Sequence, residues 1–137
     1  MLANLHESQP VALDARMLPH EWIFTGERYL KTDAADHWND HFFPGPQDIA
    51  WDLAATAVEF DLEAPAQVHL LSRYEALSGD RDVHYRIPFY TLAYLAFRVG
   101  YCCVAAQPLG NSPDALRFQA KRAEYAGILR REIERHG

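Results

Sequence analysis

Hydrophobic residues recur at helical spacing through the second half of the chain. In residues 47–60, Ile49, Leu53, Ala57 and Phe60 follow one another at intervals of three and four, which is the period of one face of an α-helix. The pattern predicts an amphipathic helix whose apolar face is turned toward a core.

Three more helices are predicted by their start and stop signals. Pro65 stands at a first-turn position, where its missing N–H does no harm, and Gly79 suits the position after a helix end. Pro88 is expected to open a third helix over residues 89–107, which is apolar nearly all round and is therefore predicted to be central and buried. Ser112, followed by a proline, is expected to cap the fourth helix.

The N-terminal third has a different pattern. Residues 1–20 have no clear period and predict irregular or short helical structure. Residues 21–32 are rich in aromatic and β-branched side chains on both sides of Gly26-Glu27, which predicts a β-hairpin. Residues 34–46 are too polar and too broken by Pro and Gly to form an element. The predicted fold class is mainly α, a bundle of about four helices with a short N-terminal β-hairpin.

Composition favours one globular domain. The chain has 137 residues, of which 49% are hydrophobic, so it can bury one core. We predict a single domain over 1–137, made of an irregular segment (1–20), a hairpin with a polar loop (21–46) and a helical bundle (47–137). The net charge of −6 and the lack of a Lys/Arg run argue against a nucleic-acid partner.

The sequence also predicts a soluble, cytoplasmic protein. No basic segment followed by an apolar one marks the N-terminus as a signal peptide. The apolar stretch 87–106 carries Arg98 at its centre, which disfavours a membrane span, so we expect a core helix and no membrane partner. The adjacent Cys102 and Cys103 lie in this apolar run and are expected to be buried, reduced thiols.

A polar loop follows the predicted hairpin and is chemically unusual. Five aspartates and two histidines lie within residues 33–52. Carboxylates at the end of a strand suit a hard cation such as Mg²⁺, which prefers oxygen ligands. Histidines suit zinc instead, but their spacing here resembles no strong zinc motif.

The order of these segments resembles the C-terminal lobe of aminoglycoside phosphotransferases and choline kinases, which have a protein-kinase-like fold. Residues 30–33 are similar to the strand that ends in a metal-binding aspartate, 45–48 to the turn after it, and 52–54, Asp-Leu-Ala, to the start of the next helix. The apolar run 86–98 is similar to a core helix of that lobe. The resemblance covers residues 14–135.

The resemblance implies roles for particular residues. Asp33 would bind Mg²⁺, and Asp14 would be the catalytic base. The family's catalytic loop has the form His-x-Asp-x-x-Pro-x-Asn. Here the spacing from Asp14 to Pro19 is two residues too long, and Glu21, which can also bind Mg²⁺, stands where the Asn is expected.

Four further residues are assigned roles, and of these only the role of Asp52 follows from the resemblance. Asp52 would anchor the catalytic loop through backbone hydrogen bonds, and Asp48 would be a second structural anchor at the helix N-terminus. Trp38 and His41 would contact the substrate. No Gly-rich loop or phosphate-binding lysine precedes Asp14, so ATP is expected to bind only if a nucleotide-binding lobe is supplied.

Two functions are therefore predicted. The first is the acceptor- and metal-binding lobe of a small-molecule phosphotransferase, inactive alone, with a hydroxyl-bearing acceptor and weakly bound Mg²⁺. The alternative is a non-catalytic helical module for binding or oligomerisation. A homo-oligomer is expected in either case, because apolar hairpin residues such as Trp22 and Phe24 would be exposed without a partner lobe.

Overall fold

The computed structural model describes residues 9–33 and 45–136, so Trp38 and His41 lie outside the described residues. The chain divides into two compact units, residues 1–90 and 91–137. The secondary structure of the described residues consists of strands β1 (Trp22–Phe24) and β2 (Tyr29–Lys31), helices α1 (Ala50–Glu59), α2 (Ala64–Ser78), α3 (Val83–Ala106) and α4 (Pro113–His136), and 3-10 turns at Pro19–Glu21 and Gln107–Leu109.

The predicted hairpin is present. Strands β1 and β2 pair antiparallel with Trp22 opposite Lys31. Thr25 and Arg28 close the turn through a backbone hydrogen bond of 2.9 Å, and Gly26 adopts a φ of +94°, which a residue without Cβ adopts at little cost. The prediction of a mainly helical fold with a short N-terminal hairpin is confirmed at this level.

Helix α1 begins three residues later than its hydrophobic pattern predicts. Gln47 is held in extended backbone by two hydrogen bonds to Val11, of 2.8 and 2.9 Å, so it cannot enter the helix. The Asp48 carboxylate then accepts a hydrogen bond from the Ala50 amide, at 2.9 Å, which satisfies a donor that the first helical turn leaves open.

The core of the first unit forms where α1 meets α2 and the start of α3. Ala50, Leu53 and Val83 are buried at its centre. Side chains from the three helices pack around them: Ile49, Leu70, Leu71, Tyr74, Ile87 and Tyr90. Burying these apolar groups supplies the main driving force for assembling this unit.

The predicted ends of two helices agree with the structure. Gly79 follows α2 in the left-handed conformation, with φ +77°, and donates a backbone hydrogen bond to Glu75. At the start of α4, the Ser112 hydroxyl accepts a hydrogen bond from the Ala115 amide, at 3.2 Å. Local sequence is sufficient for both ends, because each depends on residues within one turn.

The predicted start of α3 is wrong. The helix begins at Val83, and Pro88 lies inside it. An internal proline removes one helical hydrogen bond and costs about 3 kcal/mol. The extra turn is stabilised by tertiary contacts, because Val83 is fully buried and Arg86 is 2% exposed among acidic partners.

The prediction that the third helix is a buried core helix is also wrong. Tyr101 and Val104 of α3 are 40% and 66% exposed. The stretch Val83–Leu109 is long and apolar enough to cross a membrane by length and composition alone, and 17% of its most apolar window is buried. The core helix of a soluble protein can pass the same test, so this is weak evidence on membrane insertion.

The second unit packs the later part of α3 against α4. Leu95 and Cys102 of α3 and Ala115 and Tyr125 of α4 are each at most 3% exposed. The Arg98 guanidinium lies 5.1 and 5.2 Å from the ring centroids of Tyr101 and Tyr125. An arginine over aromatic faces is stabilised by cation–π attraction, which explains how a charge is accommodated in this apolar helix.

Candidate functional site

A short loop in the first unit is held in place by one buried carboxylate. Asp52, in the first turn of α1 and 4% exposed, accepts hydrogen bonds from the backbone amides of Asp14 and Ala15, at 2.8 and 2.9 Å. Ala15 has a φ of +63°, a left-handed conformation that costs a non-glycine residue about 1 kcal/mol. The two hydrogen bonds fix this strained backbone and set the position of the Asp14 side chain.

The Asp14 side chain faces a buried lysine on β2. Lys31 Nζ lies 3.1 Å from Asp14 Oδ2 and 2.9 Å from Glu21 Oε2, and it also donates to the backbone carbonyl of Asp33. All three side chains, of Asp14, Glu21 and Lys31, are at most 12% exposed. This group, the Lys31 cluster, brings together two of the predicted site residues, Asp14 and Glu21.

Two more basic side chains approach Glu21. Arg16 Nε lies 3.4 Å from Glu21 Oε1, and His20 Nε2 lies 4.0 Å from the same oxygen. The Glu21 backbone carbonyl accepts hydrogen bonds from the amide and the hydroxyl of Thr32, both at 2.9 Å. The backbone carbonyl of Glu21 therefore binds the hairpin, and the charge of its carboxylate is balanced by Lys31 and Arg16.

Burial and charge shift the titration of this site. Burial raises the pKa of Asp52 to about 6, although the amide hydrogen bonds from Asp14 and Ala15 act in the opposite direction. For Lys31, burial alone would lower the pKa, but hydrogen bonds to Glu21 and Asp14 outweigh it and raise the pKa. At neutral pH the lysine is therefore charged, and so is most of Asp52.

The two predicted Mg²⁺ ligands have different surroundings in this arrangement. The Glu21 carboxylate accepts a hydrogen bond from the Lys31 ammonium, and Asp33, an exposed residue, accepts one from Lys31 through its backbone carbonyl. No group of three His, Cys, Asp or Glu side chains that could hold a metal occurs within residues 9–33 and 45–136. Lys31 lies between the Asp14 and Glu21 carboxylates, and Mg²⁺ binding by Asp33 and Glu21 stays a prediction.

Asp48 belongs to a separate buried network. Arg86 Nε lies 2.7 Å from Asp48 Oδ2, and Arg86 Nη2 lies 2.5 Å from Asp80 Oδ2. Burial would lower the pKa of Arg86, but its hydrogen bonds to Asp80 and Asp48 raise it. The hydrogen bond that Arg86 donates to Asp80 also lowers the pKa of the Asp80 carboxyl. The network joins the start of α1 to α3 and to the segment after α2.

Lys31 and Arg86 are the charged residues that sequence reasoning missed. The sequence predicts Lys31 only as part of a strand, and Arg86 precedes the predicted start of its helix at Pro88. One signal was available for Lys31, because a lysine between aromatic and aliphatic strand residues has to find an acidic partner if it is buried. That partner, Asp14, is 17 positions away in the sequence, so no local pattern identifies it.

In comparisons with known proteins, no family model, no curated protein and no solved structure matches this chain.

Proposed function

We propose that this chain is a phosphotransferase-like lobe that binds a small hydroxyl-bearing acceptor and transfers no phosphate by itself. The observation that carries the proposal is the pair of hydrogen bonds from Asp14 and Ala15 to Asp52. The resemblance to aminoglycoside phosphotransferases and choline kinases implies such an anchor, in which the aspartate of Asp-Leu-Ala holds the catalytic loop.

The lack of transfer follows from the surroundings of Asp14. A general base has to accept a proton from the attacking hydroxyl, but the Asp14 carboxylate is bound to Lys31 at 3.1 Å. Arg16, moreover, precedes Pro19 by three residues and Glu21 by five, the spacing that the family pattern has between its Asp and its Pro and Asn. A guanidinium at that position cannot take up a proton.

We expect no phosphate transfer from ATP by the purified chain, with Mg²⁺ and with choline or an aminoglycoside as acceptor. The measurement is radiolabel transfer from γ-labelled ATP, with Asp14→Asn as the matched control variant. Binding of each acceptor is followed separately by calorimetry. Transfer by the native chain that Asp14→Asn abolishes would contradict the proposal, and so would failure to bind any hydroxyl-bearing acceptor.

The second candidate is the non-catalytic module that associates through apolar surface. The hairpin favours it, because Ile23, Phe24 and Tyr29 are each 57% exposed. Ile23 lies on one face of the hairpin, and the paired Phe24 and Tyr29 lie on the other. Exposed apolar groups of this kind mark interaction surfaces, and a symmetric dimer is the commonest assembly.

We expect a dimer at about 50 μM by light scattering, and a monomer for the double variant Ile23→Ser/Phe24→Ser. Leu77→Ser, at a position 78% exposed on α2, is the control and should leave the mass unchanged. A native chain that is monomeric at this concentration removes the second candidate and contradicts the expected homo-oligomer, whereas acceptor binding is decided separately by calorimetry.

A further inference from the structure

Three oxygen atoms from three separate segments converge on Lys31 Nζ. They are Asp14 Oδ2 at 3.1 Å, Glu21 Oε2 at 2.9 Å and the carbonyl oxygen of Asp33. Two carboxylates and one carbonyl are the donor set that Mg²⁺ and Ca²⁺ use in proteins. Here the same set surrounds an ammonium group, which fills the point at which the three donors meet.

The acids of the Lys31 cluster already have cationic partners without a metal ion. Asp14 and Glu21 supply two negative charges, and Lys31 supplies one positive charge between them. Arg16 adds a second positive charge at 3.4 Å from Glu21. A divalent ion placed among these groups would meet the ammonium at close range, where like charges repel strongly.

We propose that the Lys31 ammonium is the resident cation of this cluster, taking the place that a divalent metal ion would occupy and keeping Asp14 and Glu21 from binding one. The inference rests on the proposed function, since it treats these acids as the remnant of a phosphotransferase site, with Asp14 at the place of the catalytic base and Glu21 at that of a metal ligand. Removing the ammonium while keeping the acids should then uncover metal binding that the native chain lacks.

Size decides which metal ions test the inference. The oxygens lie 2.9 and 3.1 Å from the nitrogen, whereas Mg²⁺ requires about 2.1 Å and Ca²⁺ about 2.3–2.6 Å. If a metal ion takes the position of the nitrogen, the oxygens have to move inward. The movement is smaller for Ca²⁺ than for Mg²⁺. Mn²⁺, observed through water-proton relaxation, and Ca²⁺, observed by calorimetry, are the suitable probes.

The experiment compares Mn²⁺ and Ca²⁺ binding by the native chain, Lys31→Met and Lys31→Arg. We expect Lys31→Met to bind at least about tenfold more tightly than the native chain, because it removes the cation that lies between the Asp14 and Glu21 carboxylates. Lys31→Arg retains the positive charge and should behave like the native chain. The triple variant Asp14→Asn/Glu21→Gln/Lys31→Met keeps the shape without the charges and should lose the gain.

Each outcome decides the inference. Equal binding by the native chain and Lys31→Met would overturn it, as would a gain that survives in the triple variant, since the ion would then lie elsewhere. If Lys31→Met is unfolded without metal, its helical circular dichroism is followed during addition of Mn²⁺. Recovery of helix supports the inference, and no recovery by about 10 mM overturns it. Phosphate transfer is measured in a separate assay, so failure of the proposed function is distinguishable.

Discussion

Replacing Arg86 with methionine is expected to lower the free energy of unfolding by about 3–5 kcal/mol, since removing one partner of a buried ion pair leaves its counter-charge uncompensated. Arg86 is 2% exposed, and Asp48, which it contacts at 2.7 Å, is 7% exposed. Asp80 loses both of its contacts with the guanidinium as well. Urea unfolding monitored by circular dichroism measures the change.

Two variants show whether unpaired charge is the cause. Arg81→Met removes an arginine that is 87% exposed and 4.0 Å from Glu75, and it should leave stability unchanged, because exposed ion pairs contribute little. The triple variant Asp48→Asn/Asp80→Asn/Arg86→Met leaves no charge behind and keeps an oxygen at position 48 for the Ala50 amide. It should recover part of the loss, and a triple variant as unstable as Arg86→Met would contradict the explanation.

Removal of the Asp52 carboxylate is the second large effect. Asp52→Ala is expected to cost about 2 kcal/mol at pH 7, since two backbone amides lose their acceptor in a buried position. The Ala15 backbone is then free to leave its strained conformation, and Asp14 should separate from Lys31. Amide hydrogen exchange at Asp14 and Ala15 should accelerate in this variant. Asp114→Ala, at an exposed first-turn position of α4, is the matched control.

The pH dependence of Asp52 gives a second measurement on the same residue. The folded-state pKa of Asp52, about 6, lies above its ordinary value of 3.8, so the folded state binds the proton more readily. Protonation of Asp52 therefore adds to the free energy of unfolding. This contribution is fully present below pH 3.8 and is lost as the pH rises through 6, and it amounts to at most about 3 kcal/mol. The stability of the native chain relative to Asp52→Asn should therefore increase between pH 7 and pH 4. A difference that is constant over this range would show that Asp52 titrates at its ordinary pKa.

Local signals in the sequence determined much of the secondary structure. The Gly26-Glu27 turn between aromatic strand residues predicted the hairpin, and Gly79 and Ser112 predicted the end of α2 and the start of α4. Each signal depends on residues within a few positions of one another, so the physics that sets it is present in the local sequence. The role suggested for Asp52 came from resemblance to a family, and the structure supplies two hydrogen bonds of the kind that role requires.

Tertiary structure alone decided the charged pairing and the extent of burial. Asp14 meets Lys31, and Asp48 meets Arg86 across 38 positions, because folding brings distant segments into a low-dielectric interior where a charge has to be paired. The contact between Arg86 and Asp48 also stabilises the turn of α3 that precedes Pro88, although proline disfavours a helical residue before it. Periodicity shows which residues of a helix are apolar, but how much of that helix is covered depends on its neighbours. That is why the apolar α3 is only partly buried and why the predicted metal ligand Glu21 binds a lysine.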